Sequence, residues 1–327
     1  MLRALRRLGR RDLSEYQHNR AQARGAHATP QGQGPVRPVL VTQGKRKRSG
    51  GVWRVVFIVS LIVFLCAAGA LAFIGYGYWH GQQNNKQLEQ IGFNAPDASE
   101  LQRTDLASFA VDWDALRAIN PDVVGWIYVP GTTVNFLIVH GTDDEHYLKT
   151  DFYGQTSWVS FGSIFLSAAN AADFSDANNI VYGHHMNDGS MFSPFADFGD
   201  ADTFNGHRTV YVFTPAVNYQ LTTFSIVHCA ADDPLAQTAF ASEQERQAYV
   251  QDKVDRSVVT VASLPSAADM KHTFAFSTCD NLASNGRWVL FAYESGSTAA
   301  ASAVADDSSI NPEDVAAVSE AAKETAA

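Results

Sequence analysis

Hydrophobic and polar positions divide the chain into segments of different character. From Val55 to Ile74 the residues read VVFIVSLIVFLCAAGALAFI without a charge, and Gly75 to Trp79 extend the run with aromatics. About 20 apolar residues rising about 1.5 Å each cover the roughly 30 Å hydrocarbon core of a bilayer. A helix buried in a soluble core keeps a polar face, whereas here only Ser60 is polar. A cleaved signal carries a shorter apolar stretch and a much shorter basic leader. The pattern therefore predicts a transmembrane helix over 55–78.

Beyond it, residues 79–111 are polar and read as a stalk with some helix. Asp112 to Ile119 (DWDALRAI) spaces its apolar residues as a helix does and stops at Asn120-Pro121. The period then shortens to that of strands. Gly125–Val129 and Thr133–Val139 flank the turn dipeptide Pro130-Gly131. Gly162–Leu166 and Asn179–Tyr182 are short and apolar. Arg208–Thr214 and Val217–Val227 flank Pro215 as a long hairpin, and Thr273–Ser277 with Trp288–Tyr293 complete the set. About eight strands with few helices predict a closed β-barrel, because closure removes exposed edges. One helix interrupts them: Ser242-Glu243-Gln244-Glu245 is a capping box opening a helix to about Arg256, with Tyr249, Val250 and Val254 toward the barrel. From Ser295 the chain is rich in Ala, Ser and acid and reads as a solvated extension, with a short helix start at Pro312-Glu313-Asp314.

Charge sharpens this division. The chain of 327 residues has a net charge of −10, yet residues 1–54 hold 13 Lys+Arg against 2 Asp+Glu, a net of +11, which leaves −21 on the remainder. The basic leader, with Pro30, Pro35 and Pro38 and no hydrophobic period, reads as a disordered tail. Lys45-Arg46-Lys47-Arg48 and Arg54 abut the apolar run, while its far flank holds only Lys86. The positive-inside rule puts the N-terminus in the cytoplasm and residues from about 80 onward outside the cell membrane. The basic cluster is read as topological, and no nucleic-acid partner is expected. The expected domains are a 1–54 tail, a 55–78 membrane helix, a 79–111 stalk, a 112–294 domain that holds the strands and a 295–327 acidic tail.

Cys66 lies in the span, so only Cys229 and Cys279 fall in the outer part, too few for a disulfide scaffold. Either they pair, or at least one is kept as a thiol for chemistry. Cys279 ends the run Phe274-Ala275-Phe276-Ser277-Thr278, where a strand end holds a side chain rigidly and within reach. Arg287 opens the next strand. Residues flanking the loop of a hairpin meet in space, so a guanidinium would lie beside the sulfur, able to favour thiolate and to bond an oxyanion. The third candidate is the segment Tyr182-Gly183-His184-His185-Met186 just after a strand, since histidine relays protons near neutral pH. No paired spacing of structural zinc, no P-loop, no dinucleotide fingerprint and no G-x-S-x-G elbow occurs. The order His then Cys is the reverse of that in papain-like proteases. No cofactor and no metal are expected.

Over residues 112–294 the pattern resembles the sortase family, class B. The resemblance rests on Asn120-Pro121-Asp122-Val123-Val124-Gly125-Trp126-Ile127, Tyr147-Leu148 with Asp151-Phe152-Tyr153-Gly154, and Gly162-Ser163-Ile164-Phe165-Leu166. It continues with Tyr182-Gly183-His184-His185-Met186, Met191-Phe192, and Ser277-Thr278-Cys279 with Arg287. The helix from Ser242 is similar to one that class B members insert between late strands. The resemblance implies an eight-stranded sortase-type barrel, preceded here by one transmembrane helix. It also implies a cysteine transpeptidase that cleaves a C-terminal sorting signal of surface proteins after Thr. Cys279 is then the nucleophile that forms a thioester, His184 the catalytic histidine and Arg287 the oxyanion and substrate ligand. His185 has no assigned role, and its replacement is expected to be mild. The acceptor is an amine of a cell-wall precursor, or a pilin lysine in a pilus-assembling sortase; an inactive membrane-anchored binding module is the non-enzyme alternative. Leu137, Ser167 and Phe276 depart from residues usual in the family (proline, aspartate and leucine).

Overall fold

The computed structural model describes residues 50–93, 105–156, 162–233, 237–282 and 285–300. The expected tail over 1–49, the part of the stalk at 94–104 and the extension over 301–327 lie outside the described residues.

Helix α1 runs unbroken from Gly50 to Gly92. It is long and apolar enough to cross a membrane, and its side chains from Val52 to Ile74 are exposed. The helix continues past the expected end of the span at residue 78. Its last turns bury Leu88 against the barrel, and Phe93, just beyond, meets the ring of Phe213 at 4.7 Å and that of Trp126 at 5.6 Å. Part of the stalk is thus a helix docked on apolar surface.

Eight strands follow: β1 Val123–Tyr128, β2 Asn135–His140, β3 Ile164–Leu166, β4 Asn178–Tyr182, β5 Thr209–Phe213, β6 Val217–Ala230, β7 Thr273–Cys279 and β8 Gly286–Ala299. They close a barrel in the order β1-β2-β3-β4-β7-β8-β6-β5. β2 pairs with β3 and β4 with β7 in parallel; the other neighbours are antiparallel. Gly131 takes the left-handed φ of +80° that the turn between β1 and β2 requires.

Apolar runs rather than alternation mark these strands because both faces are covered. On β7, Phe274 and Phe276 point into the barrel with Ile138, Val181, Val212 and Leu290. Between them Ala275 faces outward with Val289 and Phe291 under Tyr249 and Val250 of a covering helix. On β1, Ile127 is interior, while Trp126 joins the outer cluster of Leu88, Trp113 and Leu116.

Among the described residues there are four further α-helices, α2 Trp113–Ile119, α3 Pro194–Asp197, α4 Ala201–Gly206 and α5 Glu243–Asp255, and two short 3-10 turns at Leu106–Ser108 and His146–Leu148. In α5 the Ser242 hydroxyl accepts from the Glu245 N–H, as its capping box predicts. Buried Arg246 donates to the carbonyls of Ala267, Ala268 and Met270, tying α5 to the chain entering β7. One expected boundary is corrected. Residues 295–299, assigned to the solvated extension, are the end of β8, where Ser297 and Ala299 sit opposite Tyr219 and Val217 of β6. Backbone pairing with a long neighbour holds a segment that has almost nothing to bury.

Candidate active site

The three residues singled out from the sequence lie at one end of the sheet. Cys279 is the last residue of β7 and sits directly opposite Arg287, the second residue of β8. Directly opposed residues of an antiparallel pair share a face, and by the two-residue period this is the outward face that α5 covers further along. Arg287 is anchored by Nη1, which donates to the carbonyls of Gly286 (3.0 Å) and Asn285 (3.4 Å).

His184 follows Gly183 at the exit of β4, the parallel neighbour of β7, where Tyr182 lies opposite Ser277. Its Nε2 lies 2.6 Å from the carbonyl oxygen of Leu148. A carbonyl only accepts, so Nε2 carries the proton and Nδ1 is the nitrogen open to exchange. The next residue, His185, places Nδ1 2.8 Å from the carbonyl oxygen of Cys279.

The thiol of Cys279 is free, as are those of Cys229 and Cys66. Cys229 lies on β6 opposite the same Arg287, so β8 separates the two outer cysteines. Two strand spacings of about 4.8 Å exceed the roughly 7 Å Cα limit of a disulfide. The alternative of a Cys229–Cys279 pair is thereby removed, and burial pushes the Cys229 thiol up, away from thiolate chemistry.

Sequence reasoning missed the inward-facing layer behind this row. Asp280 is buried and accepts from His228 Nε2 at 2.9 Å and from the Leu282 N–H at 2.9 Å. The His228 ring stacks on Trp288 with centroids 4.3 Å apart. The carboxylate next to the sulfur therefore serves a histidine of β6 and braces the hairpin end. A Cβ at Gly286 would stand 2.4 Å from Asp280 Oδ2, so glycine is what lets this carboxylate in.

The departures from family pattern find their places here. Ser167 donates to the carboxylate of Asp144, which also accepts from the Ala168 N–H, so a carboxylate reaches this corner from another loop. Phe276 packs on Phe192 and Phe195 in the interior, and Leu137 lies opposite Trp126 on β1. A cavity of about 910 Å³ lies elsewhere, between α1 and the barrel, lined by His80, Asn85, Glu89, Phe136, Asp151 and Met191 among others. None of Cys279, His184 and Arg287 lines it.

Gly183 sets the exit of β4. A Cβ there would stand 2.4 Å from Ile164 Cδ1 and 2.6 Å from the Phe192 ring, both fully packed. Gly183→Ala is therefore expected to lower the unfolding free energy by about 1–3 kcal/mol, the cost of overpacking a dense core. It should also displace His184, and so slow any turnover that uses this imidazole. Thermal melts and rate measurements below the lowered midpoint check both.

No family model matches the chain. Sortase B of Listeria monocytogenes is 28% identical over 222 residues, covering 66% of this chain and 87% of that protein. Sortase B of Staphylococcus aureus is 29% identical over 169 residues, covering 52% and 68%. The crystal structure of sortase B from Bacillus anthracis superposes with a TM-score of 0.57 and 26% identity over 67% of this chain and 98% of that one. Such identity over most of each relative, carried on a closed barrel of the same architecture, supports the assignment of the chain as a sortase enzyme of class B.

Proposed function

We propose that this sortase is anchored in the cell membrane by α1, with its barrel outside, and joins sorting-signal-bearing proteins to an amine of the cell wall through a thioester on Cys279. The observation that carries this reading is the direct opposition of Cys279 and Arg287 on β7 and β8, with the His184-His185 segment bonded to the same strand end.

In the first step the Cys279 thiol gives its proton to His184, and the thiolate attacks the carbonyl carbon of the substrate threonine. The Arg287 guanidinium faces the oxyanion that forms. Collapse breaks the C–N bond, His184 returns the proton to the departing amine, and a thioester remains. In the second step an acceptor amine attacks that thioester. Its proton passes to His184, a new C–N bond forms, and the C–S bond breaks to restore the thiolate. The thioester conserves the energy of the broken amide, so no nucleotide is needed.

The basic residues before the span and the acidic body after it support the orientation. The test uses the full chain in detergent with a library of sorting-signal peptides and two acceptors, a cell-wall peptide amine and a pilin-type lysine peptide. The expected result is cleavage after threonine, a thioester adduct by intact mass, and joining to the cell-wall amine. Cleavage with the lysine peptide as the preferred acceptor would point to pilus assembly. Absence of any adduct, with Cys279 unreactive toward thiol labels, would favour the binding-module reading.

A further inference from the structure

We propose that His185 is a positioning residue for the transfer reaction: its imidazole, together with Asn281, clamps the loop carrying His184 to the strand end carrying the sulfur. The proposal rests on the reading of Cys279 as nucleophile and His184 as proton carrier.

The parallel ladder between β4 and β7 runs from Asn178 opposite Thr273 to Tyr182 opposite Ser277, and the Gly183 N–H donates to the Ser277 carbonyl at 3.0 Å. Parallel rungs recur every two residues along each strand. The next rung would bring the backbone N–H of residue 185 to the carbonyl of residue 279. The chain does not run that way, because β4 ends and the segment turns back on itself. The His184 carbonyl accepts from Phe192 N–H at 3.0 Å, and His185 forms an isolated antiparallel bridge with Met191. The ring of His185 supplies the missing donor: its Nδ1 stands 2.8 Å from the Cys279 carbonyl. A carbonyl can only accept, so Nδ1 carries hydrogen, as it does both in one neutral tautomer and in the imidazolium.

A second bond runs the opposite way. Asn281, held at a φ of +54°, donates from Nδ2 to the His185 carbonyl at 2.8 Å. His185 thus receives a bond from one residue beyond Asp280 and gives one to the residue before it. These contacts bridge about a hundred positions of sequence and meet on either side of the hairpin brace made by Asp280. The loop itself is stiffened by the Ser193 hydroxyl, which donates to the Met186 carbonyl at 2.7 Å. A stiff loop joined by two bonds to the end of β7 has a defined distance from His184 to Cys279. The side chains of His184 and His185 then divide the work: one exchanges protons through Nδ1, and the other spends Nδ1 on the main chain of the nucleophile.

Misplacing a reacting group by about 1 Å costs on the order of 10²-fold in rate. These contacts replace the mild effect expected from the sequence: His185→Ala should lower kcat by roughly 10- to 100-fold while KM changes by less than about threefold. His185→Asn carries an amide nitrogen the same number of bonds from the main chain as Nδ1, so it should recover kcat to within about threefold of the parent protein. Neither variant should move the limbs of the pH–rate profile, because the proton carrier is unchanged. The test measures kcat, KM and the pH profile of the full chain in detergent, with thermal melts for each variant and Cys279→Ala alongside.

Full activity in a folded His185→Ala protein overturns the proposal. So does His185→Asn as slow as the alanine variant, or loss of a pH limb, which would make His185 itself the proton carrier. Should His185→Ala fail to fold, Asn281→Ala replaces it: a loss in kcat at constant KM supports the clamp, and unchanged kcat overturns it. If Cys279→Ala still transfers peptide, the underlying reading fails; if it is inert while His185→Ala is fully active, only the clamp fails.

Discussion

Cys279→Ala is expected to eliminate the thioester adduct and all peptide transfer. Removing a catalytic nucleophile in comparable covalent mechanisms costs on the order of 10⁶ in kcat, which here means no turnover above background. Among the described residues nothing nearby can take over. The other outer thiol, Cys229, is two strands away across β8 and its thiol is pushed up by burial. Ser277 shares the outward face two residues back but is buried. The loss should not come from unfolding. Cys279 is half-buried at a strand end, its backbone pairing with β8 does not depend on the side chain, and removing one sulfur there opens no enclosed cavity. A melting temperature close to that of the parent protein, unimpaired peptide binding and no mass adduct form the expected set. Continued joining of peptide to amine by the alanine protein would remove Cys279 from the mechanism.

The placement of the candidate residues was legible in the sequence to the extent that it depended on neighbours along the chain. The Cys279–Arg287 opposition follows from a short hairpin, and the hairpin follows from two apolar runs separated by polar residues. Capping did the same for α5, where Ser242 and Glu245 mark the helix start. What escaped was set by partners distant in sequence. The strand character of Glu294–Ala299 comes from β6, seventy-odd residues earlier, and a run of Ser, Gly, Thr and Ala has no period of its own to reveal it. Asp280 meets His228 only because β8 brings β6 and β7 onto one sheet. α3 and α4 were missed for another reason. Each is one turn or so long, yet Pro194 at the first turn and Asp200, which accepts from the Thr203 N–H, are start signals that a reading by apolar period alone passes over. Their phenylalanines, Phe195 and Phe204, are fully buried. The barrel order itself, with β7 and β8 inserted between β4 and β6, has no local signature.

Arg287→Ala is the second large effect expected, a fall of roughly 10²–10³ in kcat, the scale of one lost oxyanion donor. The fall should appear mainly in kcat, because the charge it opposes exists only once the carbonyl has been attacked. An exposed or half-exposed cation adds little to stability. Its two Nη1 bonds go to carbonyls of its own loop, so the melting temperature should change by no more than a few degrees. Arg287→Lys keeps the charge but loses the planar fork, and a point charge on a flexible stem cannot both bond the Gly286 carbonyl and face the oxyanion in fixed geometry. It should therefore recover only part of the rate, and more of it at low salt, where a misplaced charge acts over a longer distance. A different pattern would reassign the residue. If alanine lowered the melting temperature as much as the rate and lysine restored both together, Arg287 would be a fastener of the β7–β8 hairpin, and the oxyanion would need another donor. If alanine raised KM while leaving kcat intact, the guanidinium would hold the peptide in the ground state and contribute nothing special to the transition state.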